Sequence, residues 1–239
     1  MEKREHLWPD GPVFYHADGV FPPSTDSFLL GGFATVRRGD RVCDLGAGSG
    51  LLGLLVWARE PGITVTAVEW DETACNVCRR MAADNAMPLT VVRADLRDRS
   101  QVPAAGSFTL AVCNPPYFDA LRGTVATARQ GAARSEVNAT LSDVLSAAAY
   151  LLPTGGRLAL VYRPERLTDL LCAARMAGLE PKRLRTVQQD AMAAPSLVLL
   201  ECRRGSKPGL TVEMPLLLRD ASGDETEDVK RAYFRHREE

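Results

Sequence analysis

The chain has 239 residues, of which 46% are apolar and 25% are charged, a composition typical of a soluble globular protein with one sizeable core. Its 29 Lys and Arg residues nearly balance 30 Asp and Glu residues, so no overall positive field would draw it to nucleic acid, and any such contact must be local. No apolar stretch is long enough to cross a bilayer and the amino terminus lacks the apolar core of a signal peptide, so we expect a cytoplasmic protein that does not bind membranes.

The predicted elements alternate between strands and helices through most of the chain. A short helix at 27–36 comes first, preceded by Ser, Thr and Asp side chains that can cap it. From residue 41, β-branched runs alternate with helical patterns, which predicts a parallel sheet with helices on both faces. The predicted strands are 41–45, 64–69, 90–94, 108–113 and 157–162, and the predicted helices are 51–59, 72–85, 141–152 and 165–177.

Two further strands are expected at 183–188 and 196–202, where a turn-like stretch between them predicts an antiparallel hairpin. The fold class is therefore α/β, with a seven-stranded, mostly parallel sheet. A connector at 205–209, a strand-like run at 216–218 and a charged, amphipathic helix at 224–239 complete the pattern. We expect one domain with three regions: an extension with a capping helix at 1–36, the core at 37–204 and a carboxyl-terminal extension at 205–239.

The six cysteines are scattered, and we expect all of them to be reduced. Cys75 and Cys78 form a CxxC pair, but the surrounding pattern predicts a helix interior, and no second Cys or His pair completes a zinc site. We therefore expect no metal.

A glycine-rich loop directly follows the first strand of the core. Glycine lets the backbone approach a ligand closely, and the helix that follows offers unpaired N–H groups. The GxGxG spacing alone is a weak signal, because dinucleotide-binding folds also place glycines here, although their full pattern fails at position 51. With an acidic residue before it, the loop fits better as a seat for the methionine part of S-adenosylmethionine, while a turn without a ligand is the alternative. The candidate cofactor contacts are Asp44, Gly46, Ala47, Gly48 and Gly50.

Acidic residues also follow the next two predicted strands. Glu69 can accept from both ribose hydroxyls of an adenosine, and a charge at a helix amino terminus is its alternative. Asp95 can accept from an adenine amine while Leu96 packs on the ring, and a surface turn is the alternative. Trp70 is assigned to the same pocket. Since the carboxyl ends of successive strands meet at one edge of the sheet, these residues predict a ligand site there.

The most specific motif, Asn114-Pro115-Pro116-Tyr117, directly follows the strand at 108–113. Two prolines hold the chain extended or turning and leave carbonyl groups that accept hydrogen bonds. The amide oxygen of Asn114 and the carbonyl of Pro115 can accept from the two N–H groups of a planar amine, and Tyr117 and Phe118 offer rings for base stacking. The catalytic candidates are the four motif residues Asn114, Pro115, Pro116 and Tyr117. Asn114 is also assigned to the cofactor pocket. A structural turn is the alternative for this motif.

Together, the loop DLGAGSGLLGL, Glu69, Asp95 and NPPYF resemble the class I S-adenosylmethionine-dependent methyltransferases that modify exocyclic or amide nitrogens. More narrowly, the chain resembles the tRNA1(Val) adenine-N6 methyltransferase family over about residues 14–234, with further matches in TDSFLL at 25–30, RSE at 134–136, YRPERL at 162–167, KPGL at 207–210 and PLL at 215–217. The resemblance implies S-adenosylmethionine as the cofactor, S-adenosylhomocysteine as the product, and a pocket also lined by Thr25 and Asp26. A plain helix cap is the alternative for these two residues.

The resemblance further implies methyl transfer to N6 of an adenine in RNA, with tRNA as the expected partner and the base turned out of its stack. A pI near 6.3 departs from the basic character common in such enzymes. Residues 163–207, however, include nine Lys and Arg residues and only five Asp and Glu residues, which is a local excess of positive charge. These residues contact phosphates or, alternatively, form solvated charge pairs. The candidate substrate contacts, besides Tyr117 and Phe118, are Arg129, Arg134, Arg163, Lys182, Arg183 and Arg185.

Three other functions stay open. Glutamine N5 methylation of a protein would use the same motif, because a side-chain amide presents the same NH2 group, although the short segment before residue 20 disfavours the recognition domain expected there. Methylation of ribosomal RNA is the second, and a non-catalytic module that binds RNA or the cofactor is the third. A homo-oligomer is compatible with the sequence.

Overall fold

The computed structural model describes residues 3–115 and 139–235. The chain begins with an antiparallel hairpin of strands β1 (Lys3–His6) and β2 (Val13–His16). Helix α1 (Thr25–Phe33) follows. The hairpin was not predicted from the sequence, and it lies outside the main sheet. Its anchor is Asn85, whose side-chain amide accepts from the backbone N–H of Val13 at 2.7 Å and donates to its carbonyl at 2.8 Å.

A mixed sheet of nine strands forms the centre of the described structure. Its strands and the helices between them follow one another along the chain as β3 (Arg41–Leu45), α2 (Leu51–Arg59), β4 (Thr64–Glu69), α3 (Glu72–Asp84), β5 (Leu89–Arg93), β6 (Leu110–Cys113), α4 (Leu141–Leu151), β7 (Arg157–Tyr162), α5 (Leu167–Met176), β8 (Leu179–Gln188), β9 (Pro195–Arg204), β10 (Thr211–Val212), β11 (Leu216–Leu217) and α6 (Glu227–Ala232).

The order of the strands places a topological switch point in the middle of the sheet. Across the sheet the order is β10-β8-β9-β7-β6-β3-β4-β5, and β11 also pairs with β8. From β3 the chain proceeds outward through β4 to β5, and it then returns to β6 on the other side of β3. Strands β3 to β7 are parallel, and β9 is antiparallel to both of its neighbours. Ligands of open α/β sheets bind at such a reversal, outside the carboxyl ends of the strands.

The predicted α/β class, with a mostly parallel sheet, is confirmed, but the count of seven strands is wrong. The two additional strands are β10 and β11, each of two residues, which pair with β8 beyond the predicted hairpin. Strand β8 begins at Leu179, four residues before the predicted start, and tolerates Pro181 because the pairing with β9 shifts register there. The terminal helix is limited to Glu227–Ala232 in the described part of the chain, which ends at residue 235.

Two apolar cores cover the two faces of the sheet. Alternate residues of β3 enter opposite cores: Val42 packs with α1, α2 and α3, whereas Cys43 packs with α4 and α5. Helix α1 lies between α2 and α6, and the ring of Phe28 stacks on Tyr233 with centroids 4.3 Å apart. In residues 3–115 and 139–235 no helix is both long and apolar enough to cross a membrane.

Candidate active site

The glycine loop after β3 has a backbone that only glycine adopts readily. Gly46, Gly48 and Gly50 all have positive φ angles, of +67°, +55° and +82°. A Cβ atom at Gly50 would lie 2.6 Å from the sulfur of Cys78, so this position also requires close packing against α3. Around the Cβ positions of Gly46 and Gly48, by contrast, no described atom lies within 4 Å. The loop is therefore packed on one side and open to a ligand on the other.

Glu69, at the end of β4, holds this loop in place. One oxygen of its carboxylate accepts from the backbone N–H of Gly48 at 2.8 Å, and the other accepts from those of Trp70 and Asp71 at 2.9 Å each. The side chain is buried. Because each carboxylate oxygen can accept two hydrogen bonds, Glu69 can hold the loop and still accept from a ligand hydroxyl. This arrangement fits the ribose of the implied cofactor.

Asp44 occupies the interior end of the same region. Its carboxylate is buried and accepts from the backbone N–H of Gly53, in the first turn of α2, at 2.8 Å. The pKa of Asp44 is raised to about 7: burial raises it most, the hydrogen bond from Gly53 lowers it, and the negative charge of Glu69 raises it. Asp44 thus ties β3 to α2, and its contact with the cofactor stays a prediction.

The loop after β5 places the remaining acidic candidate. Asp95 forms a two-pronged ion pair with Arg97, with nitrogen–oxygen distances of 2.6 to 3.0 Å, and this pairing lowers the pKa of the carboxyl group. Leu96 is buried in the core on the α4 side, whereas Trp70, just after β4, is 41% exposed. Glu69 and Trp70 lie at the carboxyl end of β4, and Asp95 follows the parallel strand β5. These residues therefore lie at one edge of the sheet, as predicted for a ligand site.

Asn114 lies directly across the switch point from the glycine loop. Strand β6 pairs with β3, and the thiol of Cys113 donates to the carbonyl of Leu45 at 3.1 Å, so Asn114 follows at the same edge as residues 46–50. Its side-chain Nδ2 donates to the hydroxyls of Ser27 at 3.0 Å and Ser24 at 3.3 Å. Pro115 is buried. Asn114 is thus fixed between the sheet and the amino terminus of α1.

Neither serine was predicted as a site residue from the sequence; only their neighbours Thr25 and Asp26 were site candidates there. Thr25 lies in the same turn, but its hydroxyl accepts from the phenol of Tyr233 at 3.0 Å, and Asp26 belongs to the first turn of α1. Several predicted contacts lie outside the described residues, namely Pro116, Tyr117, Phe118, Arg129 and Arg134.

The basic candidates fall in two places. Arg163 is exposed directly after β7, the strand next to β6, and therefore lies near Asn114 at the same edge. Lys182, Arg183 and Arg185 belong to β8, which β9 and β7 separate from β6.

The two arginines of β8 make extensive intramolecular contacts. Arg183 pairs with Glu213 at 2.6 Å and Glu201 at 3.3 Å and also covers the ring of Phe33, and Arg185 pairs with Asp228 of α6. The ammonium group of Lys182 is exposed and donates to the carbonyl of Lys207 at 3.2 Å. A role of these residues in RNA binding stays a prediction.

Among solved structures, a predicted O-methyltransferase from Agrobacterium tumefaciens matches the fold with a TM-score of 0.74. The match covers 88% of this chain and 96% of that one at 23% identity. The strand order, the glycine loop and the Asn114-Pro115 pair at the switch point together define a class I methyltransferase.

The family model of the methyltransferase small domain matches residues 14–171. A tRNA1(Val) (adenine(37)-N6)-methyltransferase of Tolumonas auensis is 35% identical over 202 residues, which cover 82% of this chain and 81% of that protein. A protein of the same name from Shewanella sp. is 30% identical over 208 residues, which cover 84% of this chain and 85% of that protein. The chain therefore belongs to the methyltransferase small-domain family and, within it, to the tRNA1(Val) (adenine(37)-N6)-methyltransferases.

This membership confirms the resemblance inferred from the motifs, and with it an S-adenosylmethionine-dependent methyltransferase. In the part of the chain that the structure describes, no group of three His, Cys, Asp or Glu side chains is arranged to hold a metal ion.

Proposed function

We propose that the protein transfers a methyl group from S-adenosylmethionine to the exocyclic N6 of adenine 37 in tRNA1(Val). The observation that carries this proposal is the position of the Asn114 amide. It is fixed at the switch point, across from the glycine loop whose conformation Glu69 stabilises through a hydrogen bond from Gly48. The names of the curated relatives support adenine in tRNA as the substrate.

The cofactor, when bound, supplies an electrophilic methyl group on a positively charged sulfur that leaves as a neutral thioether. The residues of this chain have two tasks. The glycine loop and the carboxylate of Glu69 hold the donor, with Gly46 and Gly48 allowing close approach. Positioning of the acceptor is the second task, and it falls to Asn114 and Pro115.

In this mechanism the amide oxygen of Asn114 and the carbonyl oxygen of Pro115 each accept one N–H of the adenine amine. These bonds draw the nitrogen lone pair out of conjugation with the ring and aim it along one direction. No strong general base is needed, because the methylated amine is cationic and acidic and loses its extra proton readily to water. Preorganised acceptors in a partly buried site then supply most of the rate enhancement.

For the tRNA-binding surface, we propose that Arg163 and Lys182 contact phosphates. Arg163 lies next to the reacting edge, and Lys182 is half-buried on β8 with its ammonium group at the surface. The ion pairs of Arg183 and Arg185 offset their charges and favour a structural role for both. Tyr117, Phe118, Arg129 and Arg134 remain candidates for holding the flipped base and its neighbours.

The test uses the full chain with tritium-labelled S-adenosylmethionine and three acceptors: tRNA1(Val) transcript, the same transcript with guanine at position 37, and a protein extract. We expect label in the first acceptor alone, with N6-methyladenosine at position 37 by mass spectrometry of nuclease fragments. Label in the protein extract without label in RNA would replace the tRNA assignment by methylation of a protein amide. Equal labelling of the two transcripts would reject position 37.

A further inference from the structure

Two serine hydroxyls accept hydrogen bonds from the amide of Asn114 on the side that faces α1. Nδ2 of Asn114 donates to Ser27 at 3.0 Å and to Ser24 at 3.3 Å, and the two hydroxyl oxygens lie 3.5 Å apart. Ser27 is only 8% exposed, so its hydroxyl has few alternatives in solvent. The contact joins residues that are 87 and 90 positions apart in the sequence.

The position of Ser24 makes this contact informative. Ser24 is the N-cap residue of α1 and has the extended backbone of a cap, with φ −129° and ψ 151°, yet its side chain makes no capping hydrogen bond. Serine is among the preferred capping residues because its oxygen normally accepts from a backbone N–H of the first turn. Elsewhere in this chain Asp71, Thr140 and Thr226 do cap their helices in that way. The hydroxyl of Ser24 instead contacts Asn114.

The chemistry of a side-chain amide explains what such a contact achieves. An amide has two donors on nitrogen and an acceptor oxygen on the opposite side, and a half turn about its last bond exchanges them. In the structure Nδ2 donates to both hydroxyls, so the amide is held against α1 with Oδ1 directed away from it. In the reverse orientation an NH2 group would face the substrate amine, and two donors cannot form a hydrogen bond with each other.

We propose that Ser24 and Ser27 are positioning residues that hold the amide of Asn114 where its oxygen accepts from the amine to be methylated. The inference rests on the proposed function, because it assigns a purpose to the serines only if Asn114 orients an amine. Neither serine needs to touch the substrate or the cofactor, and their effect is exerted through Asn114.

The experiment measures single-turnover methylation of tRNA1(Val) at saturating cofactor and RNA for Ser24→Ala, Ser27→Ala and the double variant. Removing one hydrogen bond to the amide is expected to slow the methyl-transfer rate about tenfold, with a larger loss in the double variant. The dissociation constant for S-adenosylmethionine should change less than about twofold. Ser24→Thr keeps a hydroxyl at a half-buried position and should restore most of the rate. Ser196→Ala controls for the loss of any serine hydroxyl, because Ser196 lies in β9 and donates to the carbonyl of Val187 in β8.

A double-mutant cycle with Asn114→Ala separates positioning from a general structural effect. If the serines act through the amide, their loss should cause no further decrease in a chain that already lacks it. Additive losses in the Asn114→Ala background, or wild-type rates in both serine variants, would overturn the inference while leaving the proposed function intact. Failure of the proposed function gives a different result, since Asn114→Ala would then turn over like the wild type. If Ser27→Ala does not fold, the double-mutant cycle of Ser24→Ala with Asn114→Ala still tests whether a serine acts through the amide.

Discussion

The carboxylate of Glu69 and the backbone N–H of Gly48 form a 2.8 Å hydrogen bond that joins the end of β4 to the loop after β3. The same carboxylate accepts from two further N–H groups of its own turn. A neutral side chain cannot satisfy three donors as well as a carboxylate does, since hydrogen bonds to charged groups are the stronger ones. The loop conformation therefore depends on Glu69, and we propose that the binding of the cofactor ribose depends on it as well.

Glu69→Gln is expected to weaken the binding of S-adenosylmethionine by about tenfold to a hundredfold, the range expected for a hydrogen bond to a charged group. Isothermal titration calorimetry measures this change directly. Glu72→Gln, three residues further along, is the matched control, because Glu72 is exposed and pairs with Arg93 at the surface. Equal affinities for Glu69→Gln and the wild type would remove Glu69 from the cofactor site.

Asn114→Ala should separate catalysis from cofactor binding. Loss of one preorganised polar contact at a reacting group lowers turnover by about a hundredfold or more. The glycine loop and Glu69 are unchanged in this variant, so the dissociation constant for S-adenosylmethionine should stay close to that of the wild type. Steady-state turnover with tRNA and a cofactor titration are the two measurements. An unchanged turnover would refute the role of the amide.

The buried carboxyl group of Asp44 predicts a pH dependence of stability. Its pKa in the folded state is about 7, above the usual value of 3.8, so the folded chain binds this proton more tightly than the unfolded chain does. The contribution of Asp44 to stability is therefore fully present below about pH 4 and is lost as the pH rises toward 7. Across this window it lowers the free energy of unfolding by up to about 1.4 kcal/mol per pH unit.

Asp44→Asn replaces the titrating group by a neutral one that can still accept from Gly53, and it should remove this slope. Urea denaturation between pH 4 and pH 8 measures it. Asp169→Asn, a substitution of an exposed side chain that pairs with Arg166, should keep the wild-type pH dependence. If the Asp44 and Asp169 variants show the same slope, Asp44 is ionised throughout the range.

The sequence predicted the elements of the core and the edge at which the site lies, because both depend on local patterns. The hydrophobic runs of β3 to β7 and the motifs at their carboxyl ends are read within a few residues. The hydrogen bonds of Asn114 to Ser24 and Ser27 could not be predicted in this way, because they depend on where α1 packs relative to β6. Nothing in the local sequence distinguishes the hydroxyl of Ser24 from that of an ordinary helix cap.

Strands β1, β2 and β10 were missed for related reasons, whereas β11 falls in the strand-like run predicted at 216–218. Strand β1 reads Lys-Arg-Glu-His, with no apolar residue to suggest a strand, and the hairpin is held through Asn85, 72 residues after Val13. Strand β10 has only two residues, and its pairing with β8 is set by tertiary packing. The charge count over residues 163–207 likewise omits partners outside this window, such as Glu213 and Asp228, which pair with Arg183 and Arg185.

The basic residues of β8 are expected to separate into RNA-binding and structural groups. Lys182→Gln removes an exposed charge, so it should weaken tRNA binding and lower the slope of log affinity against log salt by about one, with little change in Tm. Arg185→Gln should instead lower Tm, because Arg185 joins β8 to α6 through Asp228 and also donates to the carbonyl of Met214, between β10 and β11. Its salt slope should match that of the wild type. Fluorescence anisotropy with labelled tRNA at several salt concentrations and thermal unfolding give both readouts. A reduced slope for Arg185→Gln with unchanged Tm would place Arg185 on the RNA surface, and an unchanged slope for Lys182→Gln would remove Lys182 from it.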